Sequence, residues 1–386
     1  MKTSTFIVLL AALQAPLAAQ EAQPDAQSQI DSLRERVAAL EGAPAPASLS
    51  AFNPAIGMAL DSAYMQGVAK GAFSFRAAEL GLEAPVDPYL KGWGVITGSP
   101  DGFEVEEAAG ETTALPYGLT ARGGRFFASF GRLAHFHDHE LPVVERPRSL
   151  DSFIGGETRA DGAELSWLAP AGVYINATAG VYDKMGAENG RVADGESLRP
   201  SQLTYLGRVE TSLELGENHT VDAGASCAYT PRRIAADNTG SVTARHGART
   251  LSGVDLTYRY QPSAGGLYNG LVWGTEVMRN DELSIDEATA LPAGRHTAYG
   301  GYSYLQLKAG LKWRPGVMID ISQELGAPSI ETRTATAFVT YDVTEFQRLR
   351  LEYSDASTNH GGPSERRLGL QWTIVIGKHV HGFRDR

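Results

Sequence analysis

The stretch Gln202-Leu203-Thr204-Tyr205-Leu206-Gly207-Arg208-Val209-Glu210-Thr211-Ser212-Leu213-Glu214-Leu215 decides the fold. Leu203, Tyr205, Val209, Leu213 and Leu215 share one parity; Gln202, Thr204, Arg208, Glu210, Ser212 and Glu214 share the other. Successive strand side chains point to opposite faces, so this is a strand with one apolar and one polar side. It is also long. Soluble strands usually hold about five or six residues, whereas a tilted strand crossing a bilayer needs roughly nine to eleven.

The same alternation continues on both sides of it. Val221, Ala223, Ala225, Cys227 and Tyr229 oppose Thr220, Asp222 and Ser226; Leu368, Leu370, Trp372, Ile374 and Ile376 oppose Arg367, Gln371 and Thr373. Ile56, Met58, Leu60 and Tyr64 begin the series. Strand cores are expected at 54–64, 72–84, 89–98, 102–113, 118–131, 162–169, 172–183, 201–215, 219–230, 250–261, 267–279, 297–307, 311–322, 332–342, 345–355 and 366–377, the pair around Lys308 to Trp313 carrying the weakest signal. An even count near sixteen suits a bacterial barrel. Connections alternate too. Short turns at Ala84–Pro88, Leu115–Gly118, Ala169–Gly172, Gly216–Asn218 and Asp342–Thr344 interleave with longer loops at Arg132–Asp161, Lys184–Pro200, Pro231–Arg249, Asn280–His296 and Asp355–Glu365; Ser99–Gly102 is a short exception. A bilayer offers no water to backbone N–H and C=O groups, so a spanning sheet must close on itself. The expected fold is all-β: a closed antiparallel transmembrane β-barrel over residues 52–386. Tyr89, Trp93, Trp167, Tyr205, Tyr229, Tyr258, Trp273, Tyr341 and Trp372 are expected to form its interfacial girdles.

Composition agrees. The chain has 386 residues, 42% hydrophobic, 43 Gly, one Cys and a formal net charge of −11, which argues against collagen, a disulfide scaffold and full disorder. Cys227 alone forms no internal disulfide, and an acidic chain without a basic block argues against nucleic-acid binding. Lys2, the apolar run Phe6 to Leu13 and the small residues near Ala18-Ala19 read as a signal peptide at 1–20, too short for a membrane helix. Residues 21–51 read as a periplasmic linker. Within it Ile30, Leu33, Val37 and Leu40 keep heptad spacing before an Ala-Pro spacer, which would suit a small coiled coil. The expected location is the bacterial outer membrane, with lipid as the surrounding partner and a homotrimer as a candidate assembly.

The polar faces carry both charge signs. Arg122, Arg125, Arg208, Glu210, Asp222, Arg259, Arg348, Arg350, Glu352 and Arg367 are candidate pore-lining residues, with Glu79 among the acids. Such charges either set ion selectivity or form a packing network that fills the lumen. Glu104, Glu106 and Glu107 lie on one strand, so at least one parity faces inward; Arg122, Arg125 and Arg132 are candidates to oppose them. The long loop after the fifth strand opens with His135, His137, Asp138, His139 and Glu140. In an extended segment the three histidines project to one side, a donor set suited to zinc; the alternative is a pH-responsive or merely polar constriction. His379 and His381 read as a separate tail pair. No nucleophile elbow, phosphate-cradling glycine loop or paired-histidine protease motif is present, so no catalytic residue is assigned and an enzyme is not expected.

Several segments also resemble a known family. Phe52-Asn53-Pro54-Ala55-Ile56, Asp87-Pro88-Tyr89, Val105-Glu106-Glu107-Ala108, Gly124-Arg125-Phe126-Phe127, Trp167-Leu168-Ala169-Pro170, Glu345 to Leu351, and Gly377-Lys378-His379 with Gly382-Phe383 carry the likeness. They are similar to a group of porin-like Gram-negative outer-membrane barrels of largely unassigned function, related to phosphate-selective porins. Some members are labelled zinc-regulated outer-membrane receptor. The ending departs from the group, because Arg384-Asp385-Arg386 follow Phe383. The chain is too short for a plug plus a barrel of about 22 strands, and no lysine-rich phosphate ladder is visible. The leading expectation is a porin-like channel for passive diffusion of small hydrophilic solutes or ions, narrowed by 132–161. The alternatives are a transporter or binding protein for zinc or another divalent metal, and a closed structural barrel on an anchoring stalk.

Overall fold

The computed structural model describes residues 54–67, 70–186, 198–236, 242–245, 247–285 and 292–377. The signal peptide, the linker with its heptad run, Phe52-Asn53 and the tail holding His379, His381 and Phe383 lie outside the described residues.

In chain order the strands are β1 (Ala55–Gln66), β2 (Gly71–Asp87), β3 (Leu90–Ser99), β4 (Gly102–Thr112), β5 (Leu119–Phe127), β6 (Arg159–Leu168), β7 (Tyr174–Met185), β8 (Thr204–Glu214) and β9 (His219–Thr230). Then follow β10 (Ile234–Ala236), β11 (Val242–Arg245), β12 (Arg249–Tyr260), β13 (Asn269–Ile285), β14 (Pro292–Ala309), β15 (Trp313–Gln323), β16 (Glu331–Thr344), β17 (Gln347–Thr358) and β18 (Glu365–Gly377). Sixteen of them close one antiparallel barrel, while β10 and β11 form a separate hairpin. Closure is direct: Met58 of β1 lies opposite Ile376 of β18 on one side and Leu80 of β2 on the other. Every expected strand core has its barrel strand.

The polarity of the molecule is inverted. Phe73, Leu80, Leu165, Ile319, Leu351, Leu370 and Trp372 face outward and exposed, whereas Glu276, Asn280, Thr340, Arg350 and Gln371 are buried at 1% exposure or less. An apolar exterior around a polar lumen is what lipid outside and water-facing chemistry inside require. Trp93 departs from the expected girdle: its Nε1 donates to Glu107 Oε2 at 2.8 Å, on the lumen side.

Three local departures matter. β5 ends at Phe127 rather than near 131, because the chain there turns into the barrel. Gly131 makes that turn at φ 67°, and a Cβ on it would strike the Glu276 carboxylate. The polar run Asn280–His296 reads as loop, yet β13 and β14 extend through most of it, pairing Glu282 with His296. Finally, of the several β-bulges and register shifts in the wall, two face the inserted segment. In β4, Val95 opposes Glu107 and Ile96 opposes Val105, leaving Glu106 as the extra residue. In β2, Asp61 opposes Ala77 and Ser62 opposes Phe75, leaving Arg76 extra. A bulge re-aims side chains at the cost of one ladder pair, and both bulges here aim charged groups at the same inserted segment.

Candidate functional site in the lumen

Residues 128–158, the connection between β5 and β6, form the inserted segment. Leu133, Leu141, Val143, Val144, Leu150 and Phe153 in it are fully buried. It is built from two short 3₁₀ turns, Leu133–His135 and Asp138–Glu140, and one helix, α1 (Arg148–Ile154). Helix α1 stops at Gly155, which takes the left-handed conformation (φ 84°) and returns its N–H to Asp151 and Leu150 carbonyls. Its buried Ser149, Leu150, Phe153 and Ile154 lie on one face, toward β13, β14 and β15.

The segment is tied to the wall around the lumen. The Arg132 N–H donates to Glu276 (3.0 Å) and the Leu133 N–H to the Tyr302 hydroxyl (3.3 Å). The Val144 N–H donates to Glu352 Oε2 (2.6 Å), and the Ser149 N–H to Asp320 (3.2 Å). In return Arg350 donates to the Val143 carbonyl (2.9 Å), Arg76 to that of Val144 (2.8 Å), and Arg249 to that of Phe153. Buried backbone groups outside a sheet ladder need such partners, and the charged wall supplies them.

At the β2–β4 corner the contact is between side chains. His137 Nδ1 lies 3.4 Å from Glu79 Oε2 and 3.2 Å from Glu106 Oε1, and its Nε2 lies 3.4 Å from Glu107 Oε1. His139 Nδ1 is 3.2 Å from Glu79 Oε1, and its ring stacks on His137 at 5.7 Å. Phe127 meets the His137 ring edge-on at 4.9 Å. Burial alone would favour neutral imidazoles, but the facing carboxylates reverse this. The His137 pKa lies well above the ordinary value, raised by Glu79 and Glu106, and that of His139 is raised by Glu79. His135 is elsewhere. Buried, and beside Arg208, Arg132 and Arg122, it is pushed down to about 3. The expected set of His135, His137 and His139 is therefore corrected: the 3₁₀ turns at Leu133–His135 and Asp138–Glu140 break the extended spacing, and only His137 and His139 share a neighbourhood. Among the described residues, the group placed to hold a metal ion is Glu79, Glu106 and His137.

Two cavities flank the inserted segment. One, of about 410 Å³, reaches the long-loop rim and is lined by Arg146, Arg148, Asp151, Asp320, Glu365 and Arg367 among others. The second, of about 360 Å³, lies toward the short-turn rim, lined by Glu83, Lys91, Trp93, Glu107, Arg122, His135 and Arg208.

No family model matches the chain. An uncharacterized protein of Aquifex aeolicus (strain VF5) is 29% identical over 338 residues, covering 81% of this chain and 71% of that protein. Among solved structures, OprB of Pseudomonas putida superposes with a TM-score of 0.59 at 9% identity, over 85% of this chain and 95% of its own. The outer membrane channel DcaP of Acinetobacter baumannii gives a TM-score of 0.55 at 12% identity, over 84% and 96%. The fold is that of an outer-membrane porin.

Within this porin fold most of the expected lumen residues take up paired positions. Arg208 bridges Asp255 (2.7 Å) and Glu210 (3.1 Å), Arg259 pairs with Asp222, and Arg348 with Asp342 (2.9 Å). Arg350 also donates to Gln371 (2.6 Å), Glu352 accepts from Val144, and Arg367 pairs with Glu365 and reaches Glu145 at 3.6 Å. Arg122 binds Glu164 at 2.6 Å rather than facing the β4 acids. Arg125 is a correction. It lies three residues after Arg122, so period two sends it to the outward parity, where it pairs with Asp161 at 2.6 Å. Arg132 likewise leaves the β4 acids alone, its guanidinium lying over Phe136 at 5.8 Å. Alternation alone allows only one of Glu106 and Glu107 to face inward; the β4 bulge puts both there. Asp255 escaped the sequence reading, although it shares the inward parity of Arg259.

Proposed function

We propose that the chain is a passive-diffusion channel of the outer membrane for small hydrophilic solutes and ions, with residues 128–158 forming its constriction. The observation that carries this reading is the inserted segment itself, held inside the lumen with a cavity on each side. The cavity walls carry arginines and carboxylates together, which suits small polar or charged solutes without strict selection by sign. Lipid covers the apolar exterior.

Single-channel recording in planar bilayers tests it. Refolded protein should give discrete, ohmic current steps, and a homotrimer should close in three equal ones. Absence of current from protein whose barrel is intact, as judged by heat-modifiable migration, overturns the reading in favour of a closed structural barrel.

A further inference from the structure

We propose that Glu79 Oε2, Glu106 Oε1 and His137 Nδ1 bind one divalent transition-metal ion of the zinc class, clamping the inserted segment to β2 and β4. Three observations point there. First, His137 Nδ1 lies 3.4 Å and 3.2 Å from the two carboxylate oxygens, the separations of ligands around a shared ion. Zinc bonded at about 2.0–2.1 Å in a tetrahedron sets its ligands roughly 3.3–3.4 Å apart. Second, one imidazole nitrogen carries at most one proton and cannot serve both carboxylates equally, whereas one cation attracts all three donors.

Third, the far atom of every ligand is already held. Glu79 Oε1 faces His139 Nδ1, and Glu106 Oε2 accepts from the Thr97 hydroxyl. His137 Nε2 faces Glu107 Oε1, while the other oxygen of Glu107 accepts from Trp93. A carboxylate behind a ligating histidine, itself oriented by a further donor, is how metal sites fix ligand direction and tautomer. Nitrogen and oxygen donors with no sulfur suit zinc or its neighbours over softer copper(I). Glu107 also lines the cavity toward the short-turn rim, so that cavity comes within one side chain of His137. Binding would join the inserted segment to two wall strands through one centre. The effect on the constriction rests on the channel reading; the binding itself does not.

The test is zinc titration of the intact, refolded, chelator-treated protein. We expect one tight zinc per chain, with affinity falling about 100-fold or more in Glu79→Gln, Glu106→Gln and His137→Ala. His135→Ala should leave the stoichiometry unchanged. Cobalt(II) added to the wild type should give the intense visible bands of a four-coordinate nitrogen–oxygen site, a readout independent of any variant's folding. Absence of stoichiometric zinc and of those bands overturns the proposal, as does tight zinc retained in His137→Ala. Conductance measured on the same samples separates the two readings. Current without zinc binding removes the metal clamp alone, and zinc binding without current removes the channel alone.

Discussion

At the β17 corner the wall grips the inserted segment by its backbone; at the β2–β4 corner it grips side chains. Arg350 and Glu352, two residues apart on one strand face, take the carbonyl of Val143 and the N–H of Val144. Any residue at those two positions, proline at 144 excepted, offers the same peptide groups, so that attachment depends chiefly on the wall. Farther round the same wall, past β18 and β1, His137 and His139 meet Glu79, Glu106 and Glu107. That attachment depends on residues of the segment itself and on what cation, proton or metal, sits among the carboxylates. One anchor is permanent and the other conditional.

The largest expected effect is at the permanent anchor. Arg350→Ala strips charged hydrogen bonds from the Val143 carbonyl and Gln371 in a buried place, at a cost of about 3 kcal/mol. The denaturation midpoint should fall, and proteolysis should cut within 128–158; a segment still fully protected would show that Arg350 does not hold it. At the conditional anchor His137→Gln in metal-free protein should cost less, about 1–2 kcal/mol, because the abandoned carboxylates can take up protons. Equal losses in the two variants would erase the distinction. The smallest effect concerns the cavity that opens toward the long-loop rim. Burial, with help from Asp138, Glu145 and Asp320 against the opposing pull of Arg146, raises Asp151 to about 7. As pH rises from about 6 to 8 this carboxyl loses its proton and the cavity gains a negative charge. Reversal potentials should then shift toward cation preference, and Asp151→Asn should flatten that shift.

How far the sequence carried depended on which two solvents a strand separates. For β8 and β9, lipid on one side and polar lumen on the other write a clean period of two, and the strand limits follow from it. β14 and β15 read less clearly, since Lys308 to Trp313 mixes both kinds of residue at a turn. Toward the long-loop rim that contrast fades. Asn280 to His296 holds only Leu283, Ile285 and Leu291 as large apolar residues among many charged and polar ones and so reads as loop, although β13 and β14 run through most of it. The histidine cluster was legible as residues and not as geometry, because 3₁₀ turns obey local backbone preferences that His135 and His139 do not announce. Nor does the sequence mark a bulge: Glu106 and Glu107 face the same way only because β3 skips a partner.

That skipped partner has a genetic consequence. Deleting the Glu106 codon would restore a plain β3–β4 ladder, re-index no other strand pair, and leave Glu107 facing inward from its place opposite Val95. A single insertion or deletion event is thus enough to create or erase the second carboxylate that β4 brings to this corner, while the barrel around it stays in register.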